Sequence, residues 1–267
     1  MKRLLGINTD CLSGLTDELT TLSLAKAIGF ESITSALIDK ASVYALKERA
    51  TALGVAFPFL HAPFRGINAM WETGDGYLPL FQGMCEAIDS ASACEVSSVV
   101  IHVSSGWQAP PVCDLGLSRY DALVAYAEER GVTLAFENLR KVGNLCCLAD
   151  RYENRDAVRF CFDSGHEHCY TKTVRWLDIF TDKLVATHLH DNPGRPFADK
   201  THDFDRHLLP FDGTYDYAQM MRKLDEYGFG GALTLEVFRT SSEDYKQMSA
   251  EEFLATAYDR VKRISVL

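Results

Sequence analysis

Side chains able to ligate a metal or move a proton recur in this chain at one kind of place, directly after a short apolar run. Val55–Leu60 leads into His61, Ser98–Ile101 into His102, and Thr133–Phe136 into Glu137. Arg159–Phe162 leads into Asp163 and then His166, Val185–Thr187 into His188 and His190, and Ala232–Leu235 into Glu236. Five of the eight histidines therefore stand at the ends of expected strands. Residues i and i+2 share one face of a strand. Ala135 with Glu137, Cys161 with Asp163, Ala186 with His188 and Thr234 with Glu236 each set a small or weakly polar residue below a carboxylate or imidazole. A carboxylate aimed into an apolar interior is unfavourable unless it is paired or binds a cation. Glu137, Asp163, His188 and Glu236 form an oxygen and nitrogen set suited to Mn²⁺ or Zn²⁺, with Mg²⁺ or Co²⁺ also compatible.

A further group follows in the segment His202-Asp203-Phe204-Asp205-Arg206-His207. Asp205 and His207 are two apart, so an extended chain aims both at one point, and with His61, His102 and His166 they are expected to form a second metal pocket. His202 and Asp203 read equally as ligands or as solvated loop residues, and His168 is expected at the surface. Arg65, Arg140, Arg195 and Arg239 follow strands three, five, seven and eight. Arg195 and Arg239 are candidates to hold an anionic substrate group. Trp107, five residues after His102, offers a face on which a sugar could stack, and His190 is a candidate to contact the same substrate.

The elements that must position these residues alternate regularly. Strands are expected at Leu4–Asn8, Ser32–Leu37, Val55–His61, Ser98–Val103, Thr133–Glu137, Arg159–Asp163, Val185–His190 and Gly231–Val237. Helices are expected at Thr16–Ile28, Ala41–Leu53, Tyr77–Ala93, Leu117–Arg130, Cys147–Asp156, Thr173–Phe180, Tyr215–Tyr227 and Ala250–Ile264. This pattern predicts an α/β fold, a (β/α)₈ barrel formed as one domain over residues 1–267, with its chemistry at the carboxyl ends of the strands. A doubly wound open sheet is the alternative, but the first turn, Asn8-Thr9-Asp10-Cys11-Leu12-Ser13-Gly14, lacks the glycine pattern of a dinucleotide site. The Asp191–Thr214 connection is too long for an idle loop, which marks it as functional.

Composition narrows the partners. With 267 residues, 47% hydrophobic, the chain can bury a full core. The apolar run Leu4–Ile7 turns polar at Asn8-Thr9-Asp10, too short for a signal peptide or a membrane span. Eight scattered cysteines without a CxxC pair read as reduced thiols, most of them core filling, in a cytoplasmic protein. A net charge of −10 provides no cationic footprint for nucleic acid. A stacking face such as Trp107 suits a small sugar-like partner, and a homo-oligomer is compatible with the sequence.

Taken in order, His61-Ala62-Pro63-Phe64, Val100-Ile101-His102, Phe136-Glu137-Asn138, Phe162-Asp163-Ser164-Gly165-His166, His188-Leu189-His190-Asp191-Asn192, Asp205-Arg206-His207-Leu208-Leu209-Pro210 and Leu235-Glu236 resemble the xylose-isomerase-like barrels. That superfamily contains sugar-phosphate isomerases and epimerases, hydroxypyruvate isomerase, inosose dehydratase and the endonuclease IV class of DNA-repair enzymes. The resemblance implies that Glu137, Asp163, His188 and Glu236 hold one metal, that His166 touches substrate, and that Glu137 and Glu236 act as acid and base through an enediolate. In the endonuclease IV branch, three zinc ions use the positions matching those four plus His61, His102, His166, Asp205 and His207. Three further readings therefore stand beside a metal-dependent isomerase or epimerase: a related dehydratase or lyase, a hydrolase of abasic DNA, and a non-catalytic sugar-binding barrel. Two departures, Phe211-Asp212-Gly213 where the family often has Gly-Glu-Gly and Ser35-Ala36-Leu37 where it commonly has a Glu, point to an unusual substrate.

Overall fold

Eight parallel strands carry the expected alternation, in the sheet order β7-β6-β5-β4-β3-β2-β1-β8. The computed structural model describes residues 2–171, 173–196, 199 and 201–267. The strands are β1 (Leu5–Asn8), β2 (Ser32–Ser35), β3 (Ala56–His61), β4 (Ser98–Ile101), β5 (Thr133–Glu137), β6 (Val158–Asp163), β7 (Leu184–His188) and β8 (Leu233–Leu235). The sheet closes on itself beyond β7, where Leu189 bridges Leu235. There Leu189 N–H donates to Thr234 O at 2.8 Å and Glu236 N–H donates to Leu189 O at 3.1 Å. The result is a (β/α)₈ barrel. Strand eight is shorter than expected because the backbone past Leu235 changes partners: Glu236 bonds to Leu189, and Val237 N–H donates to Asn8 Oδ1 at 3.0 Å.

The helices are α1 (Glu18–Ile28), α2 (Lys40–Leu53), α3 (Leu78–Ala93), α4 (Asp114–Glu129), α5 (Val142–Arg151), α6 (Ser164–Tyr170), α7 (Trp176–Phe180), α8 (Tyr217–Glu226), α9 (Glu243–Lys246) and α10 (Ala250–Ile264). Their ends follow capping chemistry. Asp17 and Asp39 accept from Thr20 N–H and Ser42 N–H, and Ser249 with Glu252 forms a reciprocal capping box. Two expectations shift. The helix expected at Cys147–Asp156 starts earlier, with Asn144 buried inside it and donating to Pro110 O at 3.2 Å. The helix expected at Thr173–Phe180 is only its second half, because α6 begins directly at Ser164, capped by Asp163 Oδ1 accepting from His166 N–H at 2.6 Å. No helix among the described residues is long and apolar enough to cross a membrane.

Two apolar layers hold the barrel. The larger lies between strands and helices, and a smaller one, Phe59, Val100, Ala135, Cys161 and Ala186, fills the interior. Ala135, Cys161 and Ala186 are the inward residues beneath Glu137, Asp163 and His188, as the two-residue period requires. Asp163 and His188 are direct partners across the β6–β7 ladder.

Candidate metal centre

The carboxyl ends of the strands open on a cavity of about 420 Å³. At its base one ligand atom each from Glu137, Asp163, His188 and Glu236 lies within 4.8 Å of the others. His188 Nδ1 stands 3.0 Å from Glu137 Oε1 and 3.6 Å from Glu236 Oε2. The sequence-derived set thus comes together from β5, the end of β6, the end of β7 and the residue after β8.

The flanking residues divide differently from expectation. His61 and His102 group with Glu137, whose Oε2 lies 3.5 Å and 2.8 Å from their Nε2 atoms. Asp205 and His207 group instead with His166 and His190. The cause is the path of the long loop, which returns as an antiparallel bridge between Asp191 and Leu208 and so brings His207 onto His190, ring centroids 3.9 Å apart and stacked. His190, expected to touch substrate, is wholly buried and approaches Asp163 Oδ2 at 3.1 Å.

The donor set fits cations on two observations. Three histidines bond to backbone carbonyls through Nδ1: His61 to Ala62 O at 2.7 Å, His166 to Asn138 O at 3.0 Å, and His207 to Glu236 O at 3.0 Å. Such a bond fixes the tautomer and turns the Nε2 lone pair to the cluster, the usual support for a metal-ligating imidazole. In addition, His188 Nε2, His190 Nδ1 and Asp205 Oδ1 are buried without a hydrogen-bond partner. Each such atom costs about 1–3 kcal/mol if nothing engages it, and here they gather in one place.

Charge is strongly coupled across the site. Burial pushes Glu137 up, but His102 and His188 outweigh it and hold the carboxylate well below the ordinary range. Burial likewise raises Glu236, and the nearby His188 and His207 bring it down to about 2. His166 is lowered by burial yet raised further by Asp163 and Asp205, ending well above an ordinary imidazole. His207 reaches about 10, Asp205 overcoming the effect of burial. His102 moves the other way, because its desolvation exceeds the pull of Glu137.

Several expected substrate contacts lie elsewhere. Arg195 is buried and donates to the carbonyls of Cys169 and Asp199, at 2.9 and 2.8 Å, so it fastens a loop. Arg239 donates to Met248 O at 2.8 Å and also to Lys246 O, tying the post-β8 turn to the start of α10. Trp107 packs edge-on against Tyr170 with the Arg195 guanidinium 4.5 Å from its ring, outside the cavity wall. His168 is half-buried and contacts Thr214 Oγ1 at 2.8 Å, not an open surface. His202 is exposed and paired with Asp199, whereas Asp203 lines the cavity and binds Arg140 at 2.9 Å. Glu137 is covered by its histidines, so of the two candidate acid–base carboxylates Glu236 alone is on the cavity wall.

Sequence reasoning missed the β1–β2 side of the cavity, where Asn8, Asp10, Thr34 and Ser35 contribute. Asn8 and Asp10 carry the same signal as the other strand ends, polar residues at i and i+2 after an apolar run. Burial raises the Asp10 carboxyl, the Asn8 contact opposing it. Glu18 of α1 accepts from Ser35 Oγ at 2.6 Å, so a carboxylate does stand beside the end of β2, delivered by a helix.

A profile of the family described as xylose isomerase-like TIM barrel matches residues 22–257. An uncharacterized protein of Sinorhizobium fredii is 31% identical over 196 residues, 65% of this chain and 60% of that one. A Bacillus subtilis protein named inosose isomerase is 30% identical over 141 residues, 49% of this chain and 48% of its own length. The chain thus spans between about half and three-fifths of these curated relatives. Among solved structures, the IOLI protein with a bound zinc atom superposes with a TM-score of 0.77 at 19% identity, covering 98% of each chain. D-allulose 3-epimerase from Methylomonas sp. with D-allulose gives 0.74 at 15% identity, covering 98% of this chain and 97% of that one. At such identities these structures bear on the fold alone. With its profile match running from α1 into α10, the chain belongs to the xylose isomerase-like TIM-barrel family.

Proposed function

We propose that the protein is a metal-dependent isomerase of a small polyhydroxylated ketone, acting by proton transfer at the carbon beside the carbonyl. The observation that carries this reading is the convergence of Glu137, Asp163, His188 and Glu236 at the base of the cavity, with the carboxylates of Glu137 and Glu236 both turned to His188 Nδ1. Relatives named inosose isomerase support the class of reaction. These four residues would hold a divalent cation, Mn²⁺ or Zn²⁺ by donor type, and the two flanking groups have the chemistry to hold others. A bound cation supplies a Lewis acid that polarises a carbonyl and stabilises negative charge beside it.

The protein's own residues divide the remaining work. Glu236, kept ionised by His188 and His207, stands on the cavity wall and takes the proton. Glu137 reaches the same His188 from below, beneath His61 and His102. One exposed carboxylate favours the one-base form of the reaction, in which Glu236 carries the C–H proton from the hydroxyl-bearing carbon to the former carbonyl carbon, the hydroxyl hydrogen passes to the former carbonyl oxygen, and the carbonyl so moves by one position. Epimerisation would require Glu137 to reach the opposite face of the substrate. Phe64, stacked on His102 with centroids 4.2 Å apart, and Phe238 give the cavity apolar surfaces against which the C–H faces of a sugar can pack.

The test is conversion of unphosphorylated ketoses and inososes in deuterated water with Mn²⁺ or Zn²⁺ supplied. Deuterium should enter at the carbon next to the carbonyl, and Glu236→Gln and Glu137→Gln should each lower turnover more than about a hundredfold. Absence of both conversion and exchange across the panel refutes the reading. The full set of ligand positions also keeps phosphodiester hydrolysis in view, although a net charge of −10 opposes it. Cleavage of an abasic-site duplex, abolished by Glu137→Gln, would put that activity in its place.

A further inference from the structure

The β1–β2 side of the cavity, which adjoins the strand leading to Glu236, has a chemical character of its own. Asp10 lies just past β1 on the cavity wall, and its Oδ1 accepts from Asn8 Nδ2 at 2.7 Å. Asn8 cannot turn away, because its Oδ1 accepts from Val237 N–H at 3.0 Å. Among the described residues no hydrogen bond reaches Asp10 Oδ2, and no lysine or arginine pairs with Asp10. The neighbouring hydroxyls have already spent their hydrogens: Thr34 Oγ1 donates to Phe59 O at 3.0 Å and Ser35 Oγ donates to Glu18 at 2.6 Å. What Asp10, Thr34 and Ser35 offer a ligand is therefore acceptors only. The arginine on the cavity wall, Arg140, is matched to Asp203 at 2.9 Å and stacked on Tyr170.

A wall of acceptors calls for a ligand that donates. A hydroxyl donates readily, whereas a phosphate dianion or a carboxylate has nothing to give and meets like charge from Asp10, with which no cationic side chain among the described residues pairs. We propose that Asp10, oriented by Asn8, is a specificity-determining residue that accepts hydroxyl hydrogens of an uncharged polyol, and that the cavity rejects phosphorylated and carboxylated sugars. This rests on the isomerase reading for the reaction, and deepens it by naming the substrate class.

The test uses the full chain loaded with Mn²⁺ and matched panels: unphosphorylated ketohexoses and inososes, their phosphate esters, and sugar acids. Binding is read by saturation-transfer NMR and calorimetry, independently of turnover, and KM and kcat are read where turnover occurs. Asp10→Asn keeps the shape but replaces half of the acceptor with a donor, and Asp10→Ser removes the carboxylate, with thermal melting confirming that each folds. Both variants should weaken the neutral ligand about tenfold to a hundredfold, the scale of a hydrogen bond to a charged group, with kcat changed far less. Phosphate esters should bind wild type poorly and gain in Asp10→Asn. A wild-type preference for phosphate esters or acids overturns the proposal, as does unchanged neutral binding in both variants. Neutral binding that depends on Asp10, without turnover of any panel member, would uphold the proposal and sink the isomerase reading. Turnover that ignores Asp10 would do the reverse.

Discussion

Removing the carboxylate of Asp191 should both destabilise the barrel and disorder one side of the candidate metal centre. This side chain is fully buried and accepts three backbone N–H groups. Oδ1 takes Asn192 N–H at 2.8 Å and Tyr215 N–H at 3.1 Å, and Oδ2 takes Phe211 N–H at 2.9 Å. It therefore ties the start of the long post-β7 loop to its end, and that loop carries Asp205 and His207. In Asp191→Ala the Asn192 donor is stranded in the interior, whereas the other two are half-buried and regain part of their bonding from water. At about 1–3 kcal/mol per stranded group, discounted for those two, the loss is about 3–5 kcal/mol. For a chain of this size that corresponds to a fall in Tm of roughly 10 °C. Asp191→Asn should fall between, since its amide nitrogen must face either one N–H or two. Gly213→Ala attacks the same lock sterically, because a Cβ there would lie 2.2 Å from Asp191 Oδ1 and 2.3 Å from Asn192 O. Urea titrations measure the stability, and calorimetry with Zn²⁺ measures cation affinity at the His166, His190, Asp205 and His207 side. An Asp191→Ala protein that melts within about 2 °C of wild type refutes the reasoning, because three lost bonds could not then have mattered.

Two other predictions follow from the same cluster. The His207 imidazole is raised to about 10, so the stability it gives the metal-free protein is complete below 6.5 and disappears as pH climbs through about 10. Cation binding needs that imidazole neutral, so affinity should rise over the same interval with protons released. Melting curves of metal-free protein and calorimetry in buffers of different ionisation heat should thus slope in opposite directions, and parallel slopes would contradict the coupling. Gly165→Ala would set a Cβ 2.0 Å from the His190 ring, so we expect overpacking of about 1–3 kcal/mol and a weakened flanking site. Wild-type melting and cation stoichiometry in this variant would show that His190 has room to move.

What the residues reveal locally and what they hide separates along a physical line. Glu137, Asp163 and His188 are legible because a strand fixes side-chain direction every two residues, so Ala135, Cys161 and Ala186 beneath them announce an inward face. Asn8 ends β1 and obeys the same rule, whereas Asp10 lies in the 3₁₀ turn Thr9–Leu12, where the two-residue period no longer fixes direction. Arg195 and Arg239 could not be placed from sequence, because a guanidinium goes to whichever carbonyls the fold brings near, and here those are Cys169, Asp199, Met248 and Lys246.

Asp205 and His207 show the limit most clearly. Their identity and two-residue spacing mark them as candidate ligands, but which histidines they join depends on where a long loop returns. That return is decided by contacts distant in sequence: the Asp191–Leu208 bridge, the Asp191 carboxylate, and the room left at Gly213. The residue that orders the loop also follows directly on His190, the histidine it positions His207 against. Ligand chemistry and loop geometry therefore share one short segment, His188–Asn192. A substitution there would alter both at once, whereas one at Gly213 perturbs the geometry and removes no candidate ligand side chain.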